Sequence, residues 1–187
     1  MSSSRDQDHA LRRFLVYDDL KARVSCDGVP DGVAADLPEL YGSLLATADA
    51  PTSPGDRSSF EADTRPAVAI IDDDPVLAVY LLAVLRAAGH CASWFGDGES
   101  ALRCLTGPGR RAPSLVLLDL VLPGMSGLDV LDALVRAGSL AHSRVLMMSS
   151  SVTDVARAAA RAGGATAFLP KPVQLDHIRA WLPPVAA

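Results

Sequence analysis

The chain of 187 residues is poor in cysteine and has no long apolar run. Its three cysteines, Cys26, Cys91 and Cys104, are odd in number and lack metal-ligand spacing, which indicates reduced thiols rather than a disulfide framework. No apolar stretch approaches the ~20 residues that a membrane helix needs. The first residues, MSSSRDQDHALRR, also lack the apolar core of a signal peptide. We therefore expect a cytoplasmic protein without a membrane-spanning segment.

Basic residues are not in excess in either part of the chain. Residues 1–65 contain 7 lysines and arginines against 12 acidic residues, and residues 66–187 contain 10 of each kind. Nonspecific binding to a phosphate backbone requires a basic surface, so we expect no direct binding to nucleic acid. Apolar residues make up 49% of the chain, which is too much for a protein that is disordered throughout.

A change of composition divides the chain. Residues 50–65 are rich in proline, serine, aspartate and glycine, and we interpret them as a flexible linker. The linker separates an acidic N-terminal extension, 1–49, from a domain at 66–187 that is long enough for one hydrophobic core.

The extension has the pattern of two short helices. The first is predicted over 7–24, and the second has an apolar stripe at helical spacing: Leu37, Leu40, Tyr41, Leu44 and Leu45. Asp36 and Glu39 have the spacing of a capping box. Because helices of this size are marginal alone, we expect the second to pack on the domain or on a second copy of the chain, as in a homodimer. The alternative is a mobile acidic tail that folds only on a partner.

Residues 66–187 alternate between strand and helix patterns. Strands are predicted near 67–71, 91–95, 114–118, 144–149 and 166–169, and helices near 75–88, 98–106, 127–137, 152–162 and 173–182. Five such alternations predict a doubly wound α/β domain with five parallel strands and helices on both faces.

Charged residues stand where three of these strands end. Asp72, Asp73 and Asp74 follow the first strand, Asp119 follows the third, and Lys171 follows the fifth. Ligands bind at the carboxyl ends of the strands in an open parallel sheet, so these charges are expected to share one crevice. Crowded carboxylates repel one another unless a cation joins them, and Mg2+ prefers oxygen ligands. The pattern therefore predicts a pocket for a metal ion and a phosphoryl group.

Five elements around these charges resemble the receiver domain of two-component response regulators. They are IIDDDP, LLDLVLPGMSGLDVL, VLMMSS and FLPKP, together with the spacing, in which Ser149 lies 30 residues after Asp119 and Lys171 lies 22 after Ser149. The resemblance covers about 66–187 and implies a flavodoxin-like sheet with strand order 2-1-3-4-5. It also implies a phosphorelay function, in which a histidine kinase or histidine phosphotransfer protein phosphorylates an aspartate and thereby switches a protein-interaction surface.

The resemblance assigns roles to the acidic residues. Asp119 would be the phosphoacceptor. Asp73 and Asp119 would bind Mg2+ directly with the carbonyl of Val121, whereas Asp72 would act through a bound water. Asp74 could be a further acid of the site, but it is more simply the N-cap of the following helix.

Other residues would couple phosphorylation to a response. Lys171 would be the counter-ion, and its bond to Pro172 would be cis, as is usual in the family. Ser149 would donate its hydroxyl to a phosphoryl oxygen, and Phe168 would swing between outward and inward rotamers, unless it is an ordinary core aromatic.

The loop after Asp119 contains a proline and two glycines. Pro123, Gly124 and Gly127 are expected to shape it, through positive φ or close backbone approach at the glycines.

The sequence also bears on three alternative functions. A haloacid dehalogenase-like phosphatase needs an aspartate where this chain has Val121, and a nucleotide-binding enzyme would have a glycine-rich first turn instead of Asp-Asp-Asp-Pro. A phosphate-independent interaction module with the same fold remains open. We expect a signalling protein that catalyses only its own aspartyl phosphorylation and dephosphorylation. Since little sequence follows Trp181, we expect no C-terminal output domain, so that output passes through a downstream protein or the extension.

Overall fold

The computed structural model describes residues 67–106, 112–151 and 153–184. Strands and helices alternate within these ranges: β1 Ala67–Ile71, α1 Pro75–Ala87, β2 Cys91–Phe95, α2 Gly98–Leu105, β3 Leu115–Asp119, α3 Gly127–Arg136, β4 Arg144–Ser149, α4 Asp154–Ala162, β5 Ala167–Pro170 and α5 Leu175–Arg179. The predicted extension helices and the predicted linker lie outside the described residues.

The five strands form one parallel sheet in the order β2-β1-β3-β4-β5. This confirms the doubly wound α/β fold and its flavodoxin-like strand order. The order places β1 beside β3, with the chain leaving in opposite directions from these two strands. Their carboxyl ends therefore flank the crevice that such a sheet offers to ligands.

Helices cover both faces of the sheet and bury two separate cores. On one face Val68 and Ile70 of β1 pack with residues of α1 and α5. On the other face Ala69 and Ile71 pack with residues of α2, α3 and α4. Every residue of β3 is buried, which explains why this central strand is an uninterrupted apolar run instead of an alternating one.

Several predicted boundaries shift by one or two residues. Asp119 pairs with Met148 and so lies within β3, one residue beyond the predicted strand end. Helix α4 begins at Asp154 instead of residue 152, because the Thr153 side chain accepts a hydrogen bond from the amide of Ala156 and caps the helix there.

The helix predicted over 173–182 is much shorter. Helix α5 spans Leu175–Arg179, and the amides of Trp181 and Leu182 bond to carbonyls only three residues earlier. Such bonds form a tighter turn than an α-helix, so the apolar periodicity continues while the α-helical geometry does not. The longest described helix, α1, has 13 residues, and none of the described helices is long and apolar enough to cross a bilayer.

Candidate functional site

Four polar side chains meet at the carboxyl edge of the sheet. Asp72 follows β1, Asp119 ends β3, Ser149 ends β4 and Lys171 follows β5. Asp72, Asp119 and Ser149 are 0%, 6% and 4% exposed, and they belong to a small group of buried polar residues among those described. Burial of ionised groups is unfavourable unless they are paired, so their mutual contacts determine the chemistry of this edge.

Lys171 pairs with both buried carboxylates. Its Nζ lies 2.5 Å from Oδ2 of Asp119 and 2.7 Å from Oδ2 of Asp72. Burial alone lowers the pKa of Lys171, but its hydrogen bond to Asp119 and the negative charges of Asp119 and Asp72 outweigh this effect and raise that pKa above its usual value. The side chain is therefore a fixed ammonium between two acids.

Asp72 is the most deeply buried acid of the site. Its Oδ1 accepts a hydrogen bond from the amide of Asp74 at 3.0 Å. Its Oδ2 lies near Lys171, yet among the described residues no donor is aligned with this atom as a hydrogen bond requires. Burial raises the pKa of Asp72, and the Lys171 and Asp74 contacts offset only part of that effect. Oδ2 therefore forms an ion pair with Lys171 at 2.7 Å without an aligned hydrogen bond, and it can still accept from a water or bind a cation.

Three carboxylates are close enough to share one cation. Ligand oxygens of Asp72, Asp73 and Asp119 all lie within 4.8 Å of one another, with Asp73 exposed at the surface. Mg2+ and Ca2+ are bound by oxygen ligands of this kind. Two of the three carboxylates, those of Asp72 and Asp119, are buried. Because Asp72 also retains an acceptor without an aligned donor, the residues present fit a hard divalent cation.

Asp74 has a different role from its two neighbours. Its carboxylate accepts hydrogen bonds from the amides of Val76 at 2.9 Å and Leu77 at 3.3 Å, and it is the N-cap of α1. Pro75 occupies the first turn of that helix, where it needs no hydrogen-bond donor. In the structure Asp74 is therefore the N-cap of α1.

The loop after Asp119 closes tightly over the strand end. The amide of Val121 donates to Oδ1 of Asp119 at 3.2 Å, and the Val121 side chain is 69% exposed. Gly124 has φ +80, whereas a Cβ on Gly127 would lie 2.0 Å from the carbonyl oxygen of Asp119. Gly124 is therefore needed for its positive φ, and Gly127 for the close approach of the backbone. Pro123, which precedes Gly124 in the loop, is exposed.

Ser149 does not bond to the acids. Its hydroxyl donates to the carbonyl of Ser151 at 3.0 Å and accepts from the amide of Ser151 at 3.1 Å, so the β4–α4 loop holds it. The backbone of Ser149 does reach the site, because its carbonyl accepts from the amide of Lys171 at 2.9 Å. The peptide bond between Lys171 and Pro172 is cis, as the resemblance implies.

Phe168 lies in β5 opposite Met147. The ring is half-buried and packs against the core on the α2–α3–α4 face. This contact is compatible with both interpretations of Phe168, since a half-buried ring can be a core residue and still have space to move.

Sequence reasoning missed one residue that contacts the site. The indole Nε1 of Trp94 donates to the backbone carbonyl of Asp72 at 2.7 Å. The signal in the sequence is weak: Trp94 is the penultimate residue of the strand that pairs with β1. Only the register of β1 and β2 brings the two residues together.

The comparison with protein families identifies the domain. Residues 68–182 match the model of the family described as "Response regulator receiver domain". Similar curated proteins include the probable transcriptional regulatory protein TcrX of Mycobacterium tuberculosis, 35% identical over 118 residues, which are 63% of this chain and 48% of TcrX. The DNA-binding response regulator MtrA of Mycolicibacterium smegmatis is 42% identical over 91 residues, 49% of this chain and 38% of MtrA. The chain thus matches less than half the length of each of these relatives.

Solved structures with the same fold include response regulators. A response regulator from Burkholderia pseudomallei, determined with a phosphorylated aspartic acid, calcium ion and citrate, is 25% identical with a TM-score of 0.56, over 63% of this chain and 66% of that one. A signal receiver domain from Vibrio parahaemolyticus is 27% identical with a TM-score of 0.56, over 62% of this chain and 85% of that one.

Proposed function

Since this chain belongs to the response regulator receiver domain family, we propose that Asp119 accepts a phosphoryl group from a phosphohistidine of a histidine kinase or histidine phosphotransfer protein. One observation carries the proposal: the buried carboxylate of Asp119 has an ammonium, Lys171 Nζ, 2.5 Å from one oxygen. The similar protein from Burkholderia pseudomallei carries a phosphorylated aspartic acid.

The transfer needs a carboxylate nucleophile and compensation of negative charge. An oxygen of Asp119 forms a bond to phosphorus while the phosphorus–nitrogen bond of the phosphohistidine breaks, and the electron pair stays on the imidazole nitrogen. Lys171 offers its positive charge to the carboxylate before the reaction and to the acyl phosphate afterwards. The ammonium can pair with either group, because its donors rotate and are not confined to one plane as those of a guanidinium are.

The cation site completes this compensation of charge. We assign Asp73, Asp119 and the carbonyl of Val121 as direct ligands of Mg2+, and Asp72 as a ligand through a bound water. When bound, the ion neutralises charge on the phosphoryl oxygens. The burial of Asp72 and its hydrogen bond from Asp74 hold it in place, while the exposed Asp73 remains free to close on the ion.

Phosphorylation would switch the surface formed by α4, β5 and α5. For Ser149 to donate to a phosphoryl oxygen, its hydroxyl must leave the carbonyl of Ser151, which shifts the loop that leads into α4. Phe168 would then turn inward into the space that Ser149 vacates. The phosphoryl group thus biases an equilibrium between two arrangements of this surface.

The output of this switch is assigned to protein partners in the cytoplasm. Residues 66–187 have no net charge, which argues against nucleic-acid binding by the receiver domain itself, although the relative MtrA is called DNA-binding. We assign residues 66–187 to the receiver domain, 50–65 to a linker and 1–49 to the extension. The domain is proposed to act as a signalling module that catalyses only its own phosphorylation and dephosphorylation.

Labelling by a small phosphodonor tests the phosphoacceptor. We expect the full chain with Mg2+ and acetyl phosphate to gain one phosphoryl group, and Asp119→Asn to gain none while keeping its circular dichroism spectrum. Asp132→Asn on the exposed surface of α3 is the matched control and should label normally. Asp73→Asn should label more weakly at limiting Mg2+.

Two outcomes would contradict this assignment. Stoichiometric labelling of Asp119→Asn would place the phosphoacceptor elsewhere. If the wild-type chain is not labelled by any donor, the receiver fold serves instead as a phosphate-independent interaction module.

The extension is proposed to regulate access to the switching surface. Its predicted second helix would bury the apolar stripe that begins at Leu37 on the α4–β5–α5 surface or on a second copy of the chain. Hydrogen exchange of the isolated protein tests this: residues 37–46 should be protected, and protection should change on phosphorylation. Complete exchange within seconds in both states would exclude such packing and favour a tail that folds only on a partner.

A further inference from the structure

Both backbone polar groups of Asp72 are bonded to residues of β2. The amide of Asp72 donates to the carbonyl of Phe95 at 3.1 Å. The carbonyl of Asp72 accepts from the indole Nε1 of Trp94 at 2.7 Å. The first bond continues the parallel ladder, whereas the second is made by a side chain.

The end of β2 explains why a side chain is needed there. The register pairs Ile71 with Phe95, so the Asp72 amide still finds the last carbonyl of β2. A regular parallel ladder would bond the next carbonyl of β1 to a residue further along β2. The strand ends at Phe95, however, and the chain turns through Gly96 and Asp97 into α2. The indole N–H, which can only donate, takes the position of that missing ladder donor.

The indole of Trp94 is held in place by its surroundings. Trp94 pairs in register with Ile70, and its half-buried ring packs against the core on the α1–α5 face. On another side the ring lies against Gly96, where an added Cβ would be 3.4 Å from the ring atom Cζ2. A large ring with few rotatable bonds and several contacts is a fixed donor.

This fixed donor acts on the peptide that joins two of the acids. The carbonyl of Asp72 belongs to the peptide plane between Asp72 and Asp73, so the bond from Trp94 sets the tilt of that plane. The tilt in turn directs the chain at Asp73, whose exposed carboxylate has an oxygen within 4.8 Å of ligand oxygens of Asp72 and Asp119. We propose that Trp94 is a positioning residue of the divalent-cation site, orienting the Asp72–Asp73 peptide toward Asp119.

The inference rests on the proposed function, because the cation site is part of it. Partners that orient metal ligands without touching the metal typically change affinity by about 10–100-fold when they are removed. Replacing Trp94 by Phe keeps an aromatic ring and removes the donor. We therefore expect Trp94→Phe to bind Mn2+ about 10-fold more weakly than the wild type.

Trp181→Phe is a matched control for this variant. Trp181 is also half-buried and packs against the same core. Its hydrogen bonds to Arg144 and Ile178 are made by its backbone carbonyl and amide. A purely structural role of the indoles would lower the urea midpoint of either variant and leave the Mn2+ affinity of both unchanged. We expect the Mn2+ affinity to fall for Trp94→Phe alone.

The measurement is the free Mn2+ signal in electron paramagnetic resonance, recorded during titration of the full-length chain without phosphodonor. An unchanged Kd in folded Trp94→Phe would overturn the role of Trp94 while leaving the cation site intact. Absence of Mn2+ binding by the wild type would overturn the site and the inference together. Asp73→Asn should bind Mn2+ poorly. Its loss of affinity shows that the Mn2+ signal reports this site, so an unchanged Kd in Trp94→Phe then counts against Trp94 alone.

A second measurement does not depend on the folding of Trp94→Phe. The chain has two tryptophans, so Trp181→Phe leaves a single indole N–H signal in a 15N spectrum. Addition of Mg2+ should shift this Trp94 signal in proportion to saturation and slow its exchange with solvent. A signal that stays in place through saturation would contradict the proposal.

Discussion

Helices α1 and α4 both follow strands that carry site residues, yet the protein holds them very differently. Nine of the 13 residues of α1 are buried, from Val76 to Leu85. In α4, Ala160 is the one buried residue, and Val155 is 79% exposed. One helix therefore lies within the core, whereas the other rests on its surface.

The difference matches the roles proposed for the residues that precede the two helices. Asp72 and Asp73 stand directly before α1, where burial of the helix fixes the position of the acids. Ser149 and its loop stand before α4, which buries little apolar area and would lose little if phosphorylation moved it as proposed. Segments with few buried contacts open at low free energy, and switching elements are drawn from them. We therefore expect a firmly packed half around the acids and α1, the rigid half, and a weakly packed half around Ser149 and α4 that responds to phosphorylation.

Truncating one side chain in each helix tests this contrast in stability. Leu81 in α1 is fully buried, so Leu81→Ala should lower the free energy of unfolding by about 2–5 kcal/mol. Val155→Ala in α4 should change it by less than about 0.5 kcal/mol, because an exposed side chain leaves no cavity. Urea unfolding of the full chain measures both. Equal losses in the two variants would show that α4 is held as firmly as α1.

The meeting of the charged residues could be predicted from the sequence better than the length and contacts of the helices and loops. Asp119 and Lys171 follow short apolar runs, and strands of a parallel sheet expose their carboxyl ends together, so their meeting could be expected. The length of α5 could not, because its apolar spacing continues through a turn of different geometry. The Trp94 contact depends on strand register, and the bond of Ser149 to Ser151 on a loop conformation. Neither leaves a pattern along the chain.

Removing the charge of Lys171 should uncouple the two halves. Lys171 reaches Asp72 beside α1 and, through its amide, the carbonyl of Ser149 before α4. In Lys171→Met we expect partial labelling of Asp119 by acetyl phosphate but a clearly smaller change in hydrogen exchange across α4. Arg179→Met, which removes an exposed cation from α5, is the control and should respond as the wild type does. A full α4 response in Lys171→Met would show that the phosphoryl signal reaches α4 without this ammonium.

The smallest expected effect is a dependence on pH within the rigid half. His90 lies between α1 and β2, is 3% exposed, and its Nδ1 has no hydrogen-bond partner among the described residues. Burial lowers the pKa of His90 below its ordinary value of 6.5. The folded protein therefore keeps this imidazole neutral at pH values where the unfolded chain binds a proton.

The sign of the effect follows from that difference in proton binding. As pH falls below about 6.5, His90 binds protons more readily in the unfolded chain than in the folded one, which lowers the free energy of unfolding. The contribution of His90 to stability is therefore complete above this pH and is lost as the pH falls further below it. We expect His90→Gln to flatten the loss of unfolding free energy between neutral and mildly acidic pH. His142→Gln, which alters an exposed histidine, should leave the wild-type profile unchanged. Parallel profiles for wild type and His90→Gln would mean that His90 takes up its proton equally well in the folded state, and that the α1 side opens to water more readily than its burial indicates.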